Sequence, residues 1–216
     1  MGLYSRYVLP RVIHVTCSGN PITRQRMKIV PRARGQVLEV GIGSGLNLPF
    51  YDAERVTAVC GLEPAPELAR LAAAPADAAP FGVELVLADA EDIPMDSGRF
   101  DTVVLTYTLC TIGKPLAALR EIIRVLAPGG RLLFCEHGLA PDAGVRRWQR
   151  WANPVWGRLG GGCTLDRDIP NLLRQGGFTI QAMDTMYVPG WRPANFNYWG
   201  EAVPSGSRQH PRQRIA

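Results

Sequence analysis

Gly41, Gly43 and Gly45 follow directly on the short β-branched run 36–40, and three further positions capable of ligand chemistry come after them: Glu63, the pair Asp89-Ala90, and Thr106. Glycines closing a strand let the backbone bend tightly and come close to a bound molecule. An ionised carboxylate such as Glu63 can accept hydrogen bonds from both hydroxyls of a ribose, because its two oxygens offer about four acceptor sites. Asp89 can accept from an exocyclic amine, and the small Ala90 leaves a ring-sized gap beside it. Thr106-Tyr107-Thr108-Leu109 can floor the same pocket. Each feature alone is weak, since an isolated strand-terminal acid is more often a helix cap. Their order is the stronger signal: a nucleoside needs a glycine-lined approach, a diol acceptor and an amine acceptor, and successive strands supply them in turn.

The elements that must hold these groups alternate regularly. Segments 36–40, 56–62, 83–88, 102–106 and 131–135 read as strands, with helices over 66–74 and 115–126 between them. Leu116, Leu119, Ile122, Ile123 and Leu126 share one helical face, and Pro128-Gly129-Gly130 ends that helix. Such alternation predicts a mostly parallel sheet covered on both faces. Ligands of such sheets bind beyond the carboxyl ends of the strands, where strand order reverses. Helices over 3–16 and 21–31 precede the sheet. Helices over 145–159 and near 166–175, then a strand pair over 178–185 and 195–203, close the chain.

At these residues the sequence resembles the class I S-adenosylmethionine-dependent methyltransferases. The matching pieces are Leu38-Glu39-Val40-Gly41-Ile42-Gly43-Ser44-Gly45, the acid Glu63, Asp89-Ala90-Glu91-Asp92-Ile93-Pro94, Phe100-Asp101-Thr102-Val103-Val104 and Leu126-Ala127-Pro128-Gly129-Gly130. The resemblance implies S-adenosylmethionine as cofactor, with Glu39 and Gly41 at its methionine part, Glu63 at the ribose, and Asp89 with Ala90 at the adenine. It also implies an α/β fold, a Rossmann-like seven-stranded mostly parallel sheet with helices on both faces and an antiparallel last strand. A dinucleotide-binding domain is the rival, but its G-x-G-x-x-G fingerprint places the third glycine one residue later than Gly45.

A narrower resemblance rests on Cys135-Glu136-His137, Asn153-Pro154-Val155-Trp156, Gly162-Cys163-Thr164-Leu165-Asp166-Arg167 and Tyr198-Trp199-Gly200. These pieces are similar to the small methyltransferases related to animal membrane-associated thiol S-methyltransferases. The acceptor this implies is a small, apolar molecule, with a thiol leading. N- or O-methylation of a lipid headgroup or quinone precursor is the alternative, and a non-catalytic S-adenosylmethionine-binding protein a third. His137, following the fifth strand on the ligand edge, is the candidate general base; its structural alternative is packing or capping. A thiol with its ordinary pKa of about 8.5 is already slightly ionised at neutral pH, so such a base is not compulsory. Trp148 and Trp156, near one helix face, and Trp191 are candidates for an apolar wall around the acceptor, against the alternative of core packing. Cys163, after three glycines, reads as structural or gating.

The remaining sequence bounds these readings. The five cysteines contain no C-x-x-C pair and no zinc spacing, so no metal is expected and a reducing, cytoplasmic setting fits. No apolar run is long enough to span a bilayer. Residues 1–34 carry seven basic residues and no acid, and Arg208, Arg212 and Arg214 sit in the tail. All 19 acidic residues lie between these ends. The expected organisation is a basic helical arm or lid over 1–34, a methyltransferase domain over 35–204 and a disordered basic tail over 205–216. The arm could touch an anionic membrane peripherally, or its arginines could pair with the acidic body. A nucleic-acid partner is not expected.

Overall fold

The computed structural model describes residue 4 and residues 8–206; Arg6 with most of the start of the helix expected over 3–16, and residues 207–216 of the expected disordered tail, lie outside the described residues. The strands are β1 (Gly35–Val40), β2 (Val56–Leu62), β3 (Gly82–Val86), β4 (Phe100–Thr106), β5 (Leu126–His137), β6 (Phe178–Tyr187) and β7 (Phe196–Pro204). The helices are α1 (Leu9–Cys17), α2 (Asn20–Ile29), α3 (Pro66–Asp77), α4 (Pro115–Val125), α5 (Ala143–Leu159) and α6 (Ile169–Gln175). All seven strands form one sheet in the order β3-β2-β1-β4-β5-β7-β6. The first five are mutually parallel, and β7 runs antiparallel to both β5 and β6.

Strand alternation explains why the sheet is buried on both faces. Leu38, Val103 and Leu132 join one apolar cluster with Leu119 and Ile122 of α4. Their neighbours Val37, Val104 and Leu133 point the other way, into a second cluster with Ile29 and Val30 at the end of α2. Consecutive apolar residues are thus required by two covered faces. The strand order reverses between β1 and β4, so the crevice beyond their carboxyl ends is where a ligand belongs.

Several boundaries differ from the sequence reading, three of them by three residues or more inside the sheet domain. Strand β5 begins at Leu126 instead of residue 131, because pairing with β4 starts at Phe100↔Leu126 and jumps to Thr102↔Arg131 around Pro128-Gly129-Gly130. Helix α3 continues to Asp77, with Pro75 inside it. Helix α6 starts at Ile169, where the Asp168 side chain accepts from the Asn171 N–H at 3.2 Å.

Candidate active site

A cavity of about 330 Å³ opens at the carboxyl ends of β1, β2 and β4. Gly41, Gly43, Glu63, Asp89 and Ala90 all line it, together with Tyr107 and Thr108. The glycine turn is anchored to β2: the Gly41 and Ile42 N–H groups both donate to the Leu62 carbonyl, at 2.8 and 3.0 Å. Gly41 has φ +74°, and a Cβ there would lie 2.4 Å from Thr108 Cγ2. Only glycine meets both demands.

Glu63 accepts from the Gly43 N–H (3.0 Å) through one oxygen and from the Ala65 N–H (3.0 Å) through the other. Its carboxyl is therefore fixed against the turn, while each oxygen keeps acceptor capacity for a ligand hydroxyl. Burial raises its pKa, opposed by the Ala65 and Gly43 amides. The loop that carries Asp89 and Ala90 is tied to α4 a few residues further on. Arg124 donates to the Ile93 and Met95 carbonyls at 2.7 Å each, and Glu121 accepts from the Ile93 N–H at 3.1 Å.

Other predicted residues lie behind this lining. Glu39 is buried, with Tyr51 donating to one oxygen (2.7 Å) and Asn47 to the other (2.9 Å). Thr106 accepts from Asn47 (2.9 Å) and from Arg26 (2.8 Å), and Arg26 also donates to Asn47 Oδ1 at 2.7 Å. Gly45 packs against Leu48 and α3. These three are not among the cavity-lining residues; they tie β1, β4 and α2 to the glycine loop that lines it. Arg26, Asn47 and Tyr51 are members of this network that the sequence reading left out.

Burial raises the Glu39 pKa from 4.5 to about 7, with Tyr51, Arg26 and Asn47 opposing it. Below about pH 4.5 the group is protonated folded or unfolded. As pH climbs toward 7 the unfolded chain releases its proton first, so stability falls across that window and levels off above it. Urea denaturation between pH 4.5 and 8 is expected to show this slope in the native chain and a flatter one in Glu39→Gln. Identical slopes would refute the assignment.

The basic arm is only partly free. Arg26 is buried, Arg32 pairs with Glu201 at 2.5 Å, and Lys28 Nζ sits 3.5 Å from the Trp199 ring centroid. Helix α1 does reach the cavity: Leu9, Pro10 and Ile13 line it, and His14 Nδ1 lies 2.8 Å from Ser44 Oγ of the glycine turn.

The predicted base and wall are gathered elsewhere. His137 is buried, stacked on Tyr107 with ring centroids 6.4 Å apart, and its Nε2 lies 3.2 Å from Cys163 Sγ. Trp156 donates to the same sulfur at 3.4 Å and packs on Trp191, centroids 5.4 Å apart. Trp148 is not in this group. It is 56% exposed and packs edge-on against Trp151, because eight residues carry the helix about 80° past a common face. The Cys163 thiol is pulled down to about 4, by Cys110 first, with burial opposing and His137 adding to the effect. Burial would lower the His137 pKa, but its contact with Cys163 outweighs this and the net shift is upward. Glu136 accepts from the Thr108 (2.9 Å) and Leu109 (3.1 Å) N–H groups and so orders the loop after β4.

A methyltransferase-domain family profile matches residues 38–134. The human thiol S-methyltransferase TMT1B is 34% identical over 186 residues, covering 82% of this chain and 75% of its own. Human thiol S-methyltransferase TMT1A is 32% identical over 179 residues, covering 80% and 72%. Among solved structures, an S-adenosylmethionine-dependent methyltransferase from Thermotoga maritima superposes with a TM-score of 0.66 at 19% identity, over 93% of this chain and 97% of that one. The chain therefore belongs to the S-adenosylmethionine-dependent methyltransferases, with S-adenosylmethionine as its cofactor.

Proposed function

We propose that the protein moves the methyl group of S-adenosylmethionine to the sulfur of a small apolar thiol. The observation that carries this reading is the apolar wall that Leu9, Pro10 and Ile13 of α1 add to a cavity whose opposite resources, Gly41, Glu63 and Asp89, suit the donor. The similarity to thiol S-methyltransferases over most of the chain supports it. Helix α1 acts here as the lid of the site.

Transfer from a sulfonium is an in-line displacement with a good leaving group. The protein chiefly has to align the acceptor and keep water out. An acceptor thiolate attacks the methyl carbon, the bond from that carbon to the sulfonium sulfur breaks, and a thioether and S-adenosylhomocysteine result. The thiol proton leaves for solvent, so His137, already engaged with Cys163, is a positioning residue for the Tyr107 side of the site and not the base. A panel of matched thiols, phenols and amines with isotopically labelled methyl donor tests the reading. Methylated thioethers are the expected products; labelled amines or lipid headgroups with no thioether would overturn it in favour of the headgroup alternative.

We also infer peripheral contact with an anionic lipid surface. Trp148, Trp151, Val155 and Leu159 are spaced three, four and four residues apart on α5, and each is more than half exposed. Val8, Val12 and Val15 present a second exposed apolar stripe along α1. Tyr4 donates to the Leu159 carbonyl at the end of α5, at 2.7 Å. Exposed Arg11, Arg146, Arg147, Arg150 and Arg158 flank the two stripes, the pattern of a helix pair lying in the headgroup region. No helix among the described residues is long and apolar enough to cross a membrane. Trp151→Glu with Val15→Glu is expected to lower sedimentation with phosphatidylserine vesicles at least about tenfold, with the fold intact; unchanged sedimentation would refute the contact. Deleting residues 1–34 is a poor test, because it removes Arg26 from the Glu39 network.

A further inference from the structure

Cys110, His137 and Cys163 come from three separate elements and meet beside the cofactor cavity. Their Sγ, Nε2 and Sγ atoms all lie within 4.8 Å of one another. A tetrahedral zinc ion with bonds of about 2.3 Å to sulfur and 2.0–2.1 Å to nitrogen needs separations of about 3.8 Å between sulfurs and about 3.6 Å between sulfur and nitrogen. The 3.2 Å Cys163–His137 contact is within a few tenths of that edge. The two loops bearing the cysteines are locked together without help from the cluster. The Thr164 N–H and hydroxyl both donate to the Cys110 carbonyl (3.0 and 3.1 Å), and Arg167 donates to Thr164 Oγ1 (2.9 Å) and the Ile112 carbonyl (2.7 Å).

We propose that Cys110 Sγ, Cys163 Sγ and His137 Nε2 form a three-ligand zinc(II) site whose fourth position faces the methyl-donor cavity and takes up the acceptor as a thiolate. Two cysteines and a histidine with one open position are a catalytic zinc set, not a closed structural one. None of the three ligands itself lines the cofactor cavity; the open side is assigned toward it because Thr108 and Thr111, flanking Cys110, and Gly161, two residues before Cys163, do line it. The surroundings favour a cation. Glu136 Oε2, next in sequence to His137, is buried with no hydrogen-bond partner, so the protein alone does not complete this polar group. Two thiolates would neutralise the ion's double charge. Trp156 and Trp191 then wall the entering group from the side, and Trp156 Nε1 steadies the Cys163 sulfur.

Zinc coordination supplies what an apolar thiol lacks near neutral pH, a high thiolate fraction without a base. The bound thiol gives its proton to solvent, and its sulfur attacks the methyl carbon. The thioether, a much poorer ligand, leaves the metal. The ion is neither consumed nor oxidised. The metal site stands on the cluster itself; the role of its fourth position rests on the thiol reading.

The test is titration of the chelator-stripped full chain with cobalt(II), read by absorption. One equivalent is expected to give intense thiolate-to-cobalt charge-transfer bands and tetrahedral d–d bands. Cys163→Ser, in a half-buried loop, is expected to weaken binding by at least about 100-fold, since even loss of an outer-shell partner costs 10- to 100-fold. His137→Ala should do the same, with circular dichroism checking each fold. Absence of the bands, or equal affinity in Cys163→Ser, overturns the site. Adding benzyl mercaptan is expected to shift the charge-transfer band; a band that ignores the thiol overturns the role of the fourth position. Thiol methylation that survives metal removal also overturns that role while sparing the thiol reading, whereas an intact metal site with no thiol methylated overturns the reading alone.

Discussion

Glu63→Ala is expected to weaken S-adenosylmethionine binding about 10- to 100-fold, measured by equilibrium dialysis against labelled cofactor. The carboxylate holds two backbone amides at 3.0 Å and keeps free lone pairs toward the cavity it lines. A hydrogen bond to a charged group contributes about 1.5–3 kcal/mol, which corresponds to that range in affinity. The loss has a second source. Without the carboxylate the Gly43 N–H has no anchor, and the turn that approaches the ligand loosens. Thermal unfolding of the unliganded chain separates the two. A near-native melting temperature with lost binding assigns the effect to ligand contact; undiminished binding would remove Glu63 from the site.

Gly41→Val should act on both stability and binding. At φ +74° an L-residue pays about 1–2 kcal/mol in backbone strain. Its side chain would meet Thr108 Cγ2 at 2.4 Å and Oγ1 at 2.5 Å, and overpacking of that kind costs about 1–3 kcal/mol. Relief by displacement of Thr108 would pull at the loop whose amides Glu136 holds. The variant is expected to lose about 2–5 kcal/mol by denaturant melts and to bind cofactor at least about 100-fold more weakly. Adding Thr108→Ala to Gly41→Ala should restore part of the stability but not the share due to φ. If the second change restores nothing, the clash is not the cause.

The parallel sheet and the glycine turn were legible because they depend on near neighbours in sequence. Paired apolar residues such as Val37-Leu38 and Val103-Val104 state that both sheet faces are covered, and Gly41, Glu63 and Asp89 each follow a recognisable strand. Arg26 was not legible. In a basic arm it looks like a solvated charge, and only the fold shows that it is buried against Asn47 and Thr106. The Cys110–His137–Cys163 cluster was hidden for a different reason. Its cysteines are far apart and on different loops, so no ligand spacing exists to read. Trp148 was grouped with Trp156 by helical spacing, although an eight-residue step leaves the two on diverging faces. Spacing along one helix fixes angles; it does not say which face the rest of the chain covers.

The central claim is that the crevice at the strand reversal between β1 and β4 is a methyl-donor site. Isothermal titration calorimetry of the unmodified chain with S-adenosylmethionine tests it most directly. One saturable site per chain is expected, with S-adenosylhomocysteine competing for it. A folded sample that gives no saturable heat with either molecule would contradict the account.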